Sequence, residues 1–290
     1  MQRNRAAAAH ILPRLSIHPG LACRVLQGFI RDALAKAGVS RCVVGLSGGI
    51  DSAVSAALAV RALGPERVLA IRMPAAETSS ASMEDAAAVV EALELPLLDV
   101  SIAEMAEPLL ERFPELDRLR KGNVFARLRM LVLYDQSAAC AGLVLGTSNK
   151  TEMLLGYSTV YGDGAAALQP IADLYKHQIR QMATHLEIPQ SVLEKAPSAD
   201  LWVGQTDEEE LGFPYDVADA LLYLLVDERY SVAEAIDCGF EPTFVEHFWQ
   251  RVKQNHYKRT MPNIAKLSRR TIGHDFLYLR DNTGRPGRLE

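Results

Sequence analysis

RCVVGLSGGIDS, residues 41–52, joins a short apolar run to a helix through a glycine turn. Cys42 to Gly45 predicts a short buried strand, β-branched in its middle. From Asp51 the chain runs to Leu63 with Val54, Ala57, Leu58 and Leu63 near helical spacing, and Gly64-Pro65 stops it. A strand, a glycine turn and a helix N-terminus in that order make an anion site. Free backbone N–H groups and the positive end of the helix dipole converge there, and glycines let phosphate oxygens come close. Gly45, Leu46, Ser47, Gly48, Gly49, Ile50, Asp51 and Ser52 are the candidate phosphate-binding residues, with Ser47 and Ser52 adding hydroxyls. Asp51 is also a candidate ligand for a divalent cation bridging phosphates.

GxxxxGK[ST] is absent and no lysine follows the glycines, which removes the main support for a kinase or GTPase. The pattern SGGxDS instead resembles the loop of the N-type ATP pyrophosphatases, which cut ATP between its α- and β-phosphates. The plain alternative is a serine-glycine turn with no ligand.

The 290 residues, 49% hydrophobic, are enough to bury a large core. A net charge of −5 and a pI near 5.9 argue against nucleic acid as the main partner. Cys23, Cys42, Cys140 and Cys238 are far apart with no CxxC pair, and read as buried thiols of a reducing compartment. No apolar run approaches a membrane span, so no membrane association is expected and the protein is taken as cytoplasmic. Residues 1–20 read as a disordered or loosely docked arm.

Further helices are expected at 21–37, 82–93, 103–113 and 123–141, and further strands at 67–73, 95–102 and 142–146. Strands alternating with helices imply a doubly wound parallel sheet, helices on both faces, in an α/β domain over 21–278. Ligands of such sheets collect at the carboxyl ends of the strands. Residues 147–167 form a polar, glycine-rich segment too long for an ordinary connection. The acidic run Asp207-Glu-Glu-Glu reads as a solvated helix start. Helices are expected at 216–227, 231–238 and 242–257, and 279–290 reads as a flexible tail.

KGNVFARLRM at 121–130, GTSNKTEMLLGYSTVYGDGA at 146–165 and KAPSADLWVGQTDEEELG at 195–212 resemble NAD synthetase, in its short ammonia-dependent form. The resemblance covers about residues 21 to 265. It implies an adenine nucleotide alpha-hydrolase-like fold and a homodimer that uses ATP, magnesium, deamido-NAD and ammonia, adenylating the nicotinate carboxylate before ammonia displaces AMP. It further implies that Glu152 shares magnesium with Asp51, and that Lys176, Thr147 and Ser198 contact ATP. Arg127, Tyr257 and Lys258 would contact deamido-NAD, and Asp163 would lie near the reacting centre. In isolation Lys176 reads as a surface lysine, Arg127 and Arg129 as a solvated helix face, and Asp163 as a turn residue.

Val160 stands where the family often has a lysine, Ala167 where it has an aspartate, and Tyr257-Lys258 where it has His-Lys. These departures fall on the deamido-NAD half. An amide ligase of the same fold acting on another carboxylate, or a nucleotide-binding regulator without catalysis, are the alternatives. No glutaminase-like segment fits in the roughly twenty residues before the first expected helix, so free ammonia is the expected nitrogen source.

Overall fold

A computed structural model describes residues 1–198, 206–272 and 275. In chain order its strands are β1 (Arg41–Gly45), β2 (Val68–Arg72), β3 (Leu97–Asp99) and β4 (Gly142–Leu145). The helices begin with α1 (Gln2–Ile11), α2 (Pro19–Lys36), α3 (Ile50–Leu63), α4 (Ser80–Ala92), α5 (Ala103–Arg112), α6 (Arg118–Ala139) and α7 (Lys150–Leu155). They continue with α8 (Lys176–His185), α9 (Gln190–Glu194), α10 (Asp207–Leu211), α11 (Tyr215–Leu222), α12 (Val232–Asp237) and α13 (Pro242–Gln254). The strands pair in parallel in the order β3-β2-β1-β4.

Alternation along each strand sorts its residues between two faces. Cys42, Val44, Val68 and Ala70 pack with α2, α3 and α8, whereas Val43, Ile71 and Val144 pack with α5 and α6. Both faces are covered, which is why the strands read as unbroken apolar runs. Helix α3 is buried along its whole middle, Ser52 to Ala59. Its alanines let α2 and α8 approach closely over it, so the doubly wound α/β reading holds at its central element.

From β1 the chain adds β2 and β3 on one side and then crosses to add β4 on the other. That reversal opens a crevice at the carboxyl ends of β1 and β4. The glycine loop and Gly146-Thr147 both leave the sheet there.

Residues 1–15 are not a loose arm. Ala7, Ala8, Ile11 and Leu15 are buried against α11, and the buried Asn4 side chain accepts a hydrogen bond from the Glu241 N–H at 2.8 Å. Burying these four apolar side chains contributes roughly 5 kcal/mol. The sequence hid this because α1 is polar on average and its apolar face is mostly alanine. Leu221, Leu222, Leu224, Leu225 and Phe248 are spent on the same core, so the apolar C-terminal helices leave little surplus for a partner.

Segment 147–167 is not wholly irregular, since α7 forms behind a capping box between Asn149 and Glu152. Helix α6 starts before residue 123, because Asp117 accepts from the Arg120 N–H at 2.8 Å and caps it. All four cysteines are free thiols, but Cys140 and Cys238 are half-buried rather than buried. Among the described residues no helix is long and apolar enough to cross a membrane. The segment 279–290 lies outside the described residues.

Candidate active site

Gly49 precedes α3 in an extended conformation, and no side chain caps the helix. Its first-turn N–H groups therefore remain donors for a ligand. The loop is tied to itself: Ser52 Oγ donates to the Gly49 carbonyl at 2.9 Å, Gly49 N–H donates to Ser47 Oγ at 3.2 Å, and the two serine hydroxyls lie 3.2 Å apart. The loop opens on a cavity of about 840 Å³. Gly45, Leu46, Ser47, Gly49, Ile50, Asp51 and Ser52 line it. Gly48 does not. Its φ of +76° turns it to the Ser82 carbonyl, where a Cβ would fall 2.2 Å from the oxygen.

Lys176, far from being a surface lysine, is 2% exposed. Its Nζ donates to Asp51 Oδ2 at 2.5 Å and to Glu152 Oε1 at 3.4 Å. The other Asp51 oxygen accepts from the Asn149 side chain at 2.8 Å, and the other Glu152 oxygen from the Asn149 N–H at 3.3 Å. Burial alone would lower the Lys176 pKa, but the charges of Asp51 and Glu152 hold it above its ordinary value. Burial, and then the charge of Asp51, raises Glu152 above the usual carboxylate range against the pull of Lys176.

Helix α11 walls this cluster from behind. The Lys176 ammonium stands 4.9 Å from the centre of the Tyr215 ring. Tyr215 donates its hydroxyl to Asp207 at 3.0 Å, and Tyr157 donates toward Asp207 and Glu210. Asp207 is 4% exposed, so the acidic run is not simply a solvated helix start. Its first carboxylate serves the site, while Glu209 remains exposed.

The rest of the cavity carries Arg127, Thr147, Val160, Asp163, Ser198, Tyr257 and Lys258 on its wall. Arg127 Nε donates to the Val160 carbonyl at 3.3 Å. Lys258 Nζ donates to the carbonyls of Gly156 and Ser158, at 2.7 and 2.8 Å. Asp163 accepts from the Thr159 N–H at 2.8 Å. Asp163 is itself exposed to the cavity; desolvation by the cavity wall raises its pKa, against hydrogen bonds from Thr159 and the charge of Lys258. Ala167, expected near the second substrate, does not line the cavity. It is exposed, and its N–H is committed to the Val144 carbonyl at 3.0 Å.

Several site residues went unread in the sequence. Asn149 had a signal, the Asn-x-x-Glu spacing of a capping box. Lys195, which donates to Ser82 Oγ at 2.8 Å and pairs with Asp85 at 3.1 Å, had none beyond its motif. Tyr157 likewise had none beyond its motif, and Tyr215 had none.

A parallel sheet with a self-tied glycine loop at its switch point, and a lysine and two carboxylates converging there, defines an N-type ATP pyrophosphatase-like α/β enzyme. The description "NAD synthase" matches residues 22–262. The "NH(3)-dependent NAD(+) synthetase" of Trichlorobacter lovleyi is 50% identical over 93% of this chain and 99% of its own. A solved "NMN synthetase" from Francisella tularensis has a TM-score of 0.75 and 32% identity, over 87% of this chain and 100% of that one. An "NH3-dependent NAD synthetase" from Campylobacter jejuni has a TM-score of 0.74 and 31% identity, with the same coverage. The chain belongs to the NAD synthase family.

Proposed function

We propose that the chain amidates deamido-NAD to NAD with ammonia, driven by ATP, through an adenylated nicotinate carboxylate. The observation that carries this reading is the buried Lys176 ammonium held between Asp51 and Glu152 beside the α3 N-terminus. The names of the relatives point to ammonia as the nitrogen donor and NAD as the product.

A carboxylate oxygen of deamido-NAD attacks the α-phosphorus, and the bond to the bridging oxygen breaks to release pyrophosphate. Negative charge builds on that leaving group. The α3 amides, the Ser47 and Ser52 hydroxyls and Lys176 neutralise it, with Thr147 and Ser198 on the nucleotide. Asp51 and Glu152 would hold magnesium: two hard carboxylates facing a phosphate cradle suit an ion that takes one or two protein carboxylates and completes its shell with phosphate and water. Bound there, it contributes on the order of several kcal/mol of charge stabilisation. Ammonia, placed by Asp163, then attacks the acyl carbon. The carbon–oxygen bond to AMP breaks, and the nitrogen sheds its extra proton. Arg127, Tyr257 and Lys258 orient deamido-NAD.

The Francisella relative, an "NMN synthetase", favours one second reading, amidation of a smaller nicotinate nucleotide. Purified protein given ATP, magnesium and ammonium separates the two. AMP should form with deamido-NAD and not with nicotinate mononucleotide. The reverse preference would replace the first reading by the second.

The working form is a homodimer of the cytoplasm. The four free thiols suit a reducing compartment. Met105 and Leu109 on α5, Phe113 just past its end, and Leu131 and Tyr134 on α6 are exposed apolar side chains that a partner copy could cover.

A further inference from the structure

Asp219 lies on α11 with none of its surface exposed, and it belongs to neither the phosphate cradle nor the second-substrate wall. Its two oxygens accept from the Thr151 hydroxyl at 2.5 Å and from the His177 N–H at 2.7 Å. The same Thr151 oxygen accepts from the Lys176 N–H at 3.1 Å. Thr151 immediately precedes Glu152 on α7, and Lys176 and His177 open α8. One buried carboxylate thus ties the helix carrying the acid and the helix carrying the lysine to a third helix. That third helix also presents Tyr215, one turn before Asp219, to the Lys176 ammonium.

Satisfying two helix-end N–H groups does not require a buried carboxylate, since neutral caps do so at far smaller desolvation cost. The carboxylate does supply direction. The Thr151 hydroxyl has one proton. Given to Asp219, it leaves lone pairs free for Lys176 N–H. The chain Asp219–Thr151–Lys176 then fixes the backbones of residues 151 and 176 relative to each other, and with them the reach of Glu152 and Lys176.

We propose that Asp219 is a positioning residue that holds Lys176 and Glu152 in register through Thr151. The proposal rests on reading Lys176 and Glu152 as the ATP-handling groups.

Pyrophosphate release and melting temperature, measured on Asp219→Asn, Thr151→Val, the double variant, Thr151→Ser and Lys176→Ala, test it. An asparagine presents an NH2 to one of the two donors, and valine keeps the shape of threonine without its hydroxyl. Among proteins still folded at the assay temperature, Asp219→Asn and Thr151→Val should each lose about ten- to hundredfold in kcat. KM for ATP should stay within about twofold, as expected for lost transition-state positioning and not for lost ground-state binding. The double variant should be no slower than the slower single one, because both cut the same chain. Thr151→Ser, which keeps the hydroxyl, should restore the rate. Should Asp219→Asn fail to fold, the contrast between Thr151→Val and Thr151→Ser decides alone. Folded Thr151→Val and Asp219→Asn enzymes turning over like the parent, beside an inactive Lys176→Ala, would overturn the clamp and leave the site reading standing. A Lys176→Ala enzyme at the parent rate would overturn the site reading, and the clamp with it.

Discussion

The Lys176 ammonium and the Asp51 carboxylate meet at 2.5 Å, with side-chain exposures of only 3% and 16%. A pair this well shielded is costly to break from one side, because the remaining charge stays buried. Asp51→Asn is nearly isosteric and leaves Glu152, at 3.4 Å, as the ion-pair partner of Lys176 among the described residues. We expect pyrophosphate release to fall by about two powers of ten or more, with a loss of stability on the order of 3 kcal/mol. Denaturant titration and turnover at saturating magnesium check both. A folded variant at the parent rate would remove Asp51 from the site.

Gly48 and Gly49 are neighbours with different duties. Gly48→Ala combines a positive φ with a Cβ placed 2.2 Å from the Ser82 carbonyl, whereas at Gly49 the nearest atom to a Cβ is Ser47 Oγ at 3.2 Å. The backbone strain at Gly48 alone costs on the order of 1–3 kcal/mol. Gly48→Ala should therefore lower the melting temperature far more than Gly49→Ala, which should chiefly raise KM for ATP. Equal melting temperatures would contradict the packing of Gly48 on Ser82.

Burial pushes the Asp219 carboxyl up to about 6, against its hydrogen bonds from Thr151 and His177. The folded protein then binds this proton more tightly than the unfolded chain does. The contribution is complete below about pH 4 and is lost as the pH rises through 6. Between pH 5 and 7.5 the parent should lose on the order of 1 kcal/mol that an Asp219→Asn protein does not. Neighbouring Asp216 runs the other way, its pKa lowered first by the His177 hydrogen bond, so its stabilisation disappears only as pH falls below the ordinary carboxylate range. Urea titrations of parent and variant at the two pH values give the difference directly, and a difference of opposite sign would show that Asp219 is charged more easily when folded.

Arg127 stands on the cavity wall beside Val160, while Ala167 does not line the cavity. Arg127→Ala should raise KM for deamido-NAD by roughly one to two powers of ten, the span of a charge-assisted hydrogen bond, and KM for ATP by little. Val160→Lys should lower KM for deamido-NAD. Unchanged deamido-NAD kinetics in Arg127→Ala would point to another acceptor carboxylate.

The exposed apolar side chains along α5 and α6 include Leu131, 57% exposed, and, just past α5, Phe113, 42% exposed. Sedimentation at micromolar concentration should show a dimer, and Leu131→Glu should dissociate it with loss of activity. A fully active monomer would contradict the assembly.

The central strand, the glycine loop and α3 were legible because period, turn chemistry and helix stop agree at residues 41–65. Lys176 and Glu152 were legible only through motif resemblance, since nothing local tells a buried lysine from a surface one. Asp219 was illegible because its partners, Thr151 and His177, lie 68 and 42 residues away. Helix α1 was missed because alanine carries too little hydrophobicity to mark a buried face, and the docking depends on α11, far along the chain.

Oxygen transfer tests the account most directly. Deamido-NAD labelled with oxygen-18 in its nicotinate carboxylate is turned over by the purified protein with ATP, magnesium and ammonium, and the products are weighed by mass spectrometry. Attack of the carboxylate on the α-phosphorus, followed by ammonia at the acyl carbon, leaves one labelled oxygen in AMP and none in pyrophosphate. Unlabelled AMP formed alongside NAD, or label appearing in inorganic phosphate with ADP, would contradict an adenylated intermediate.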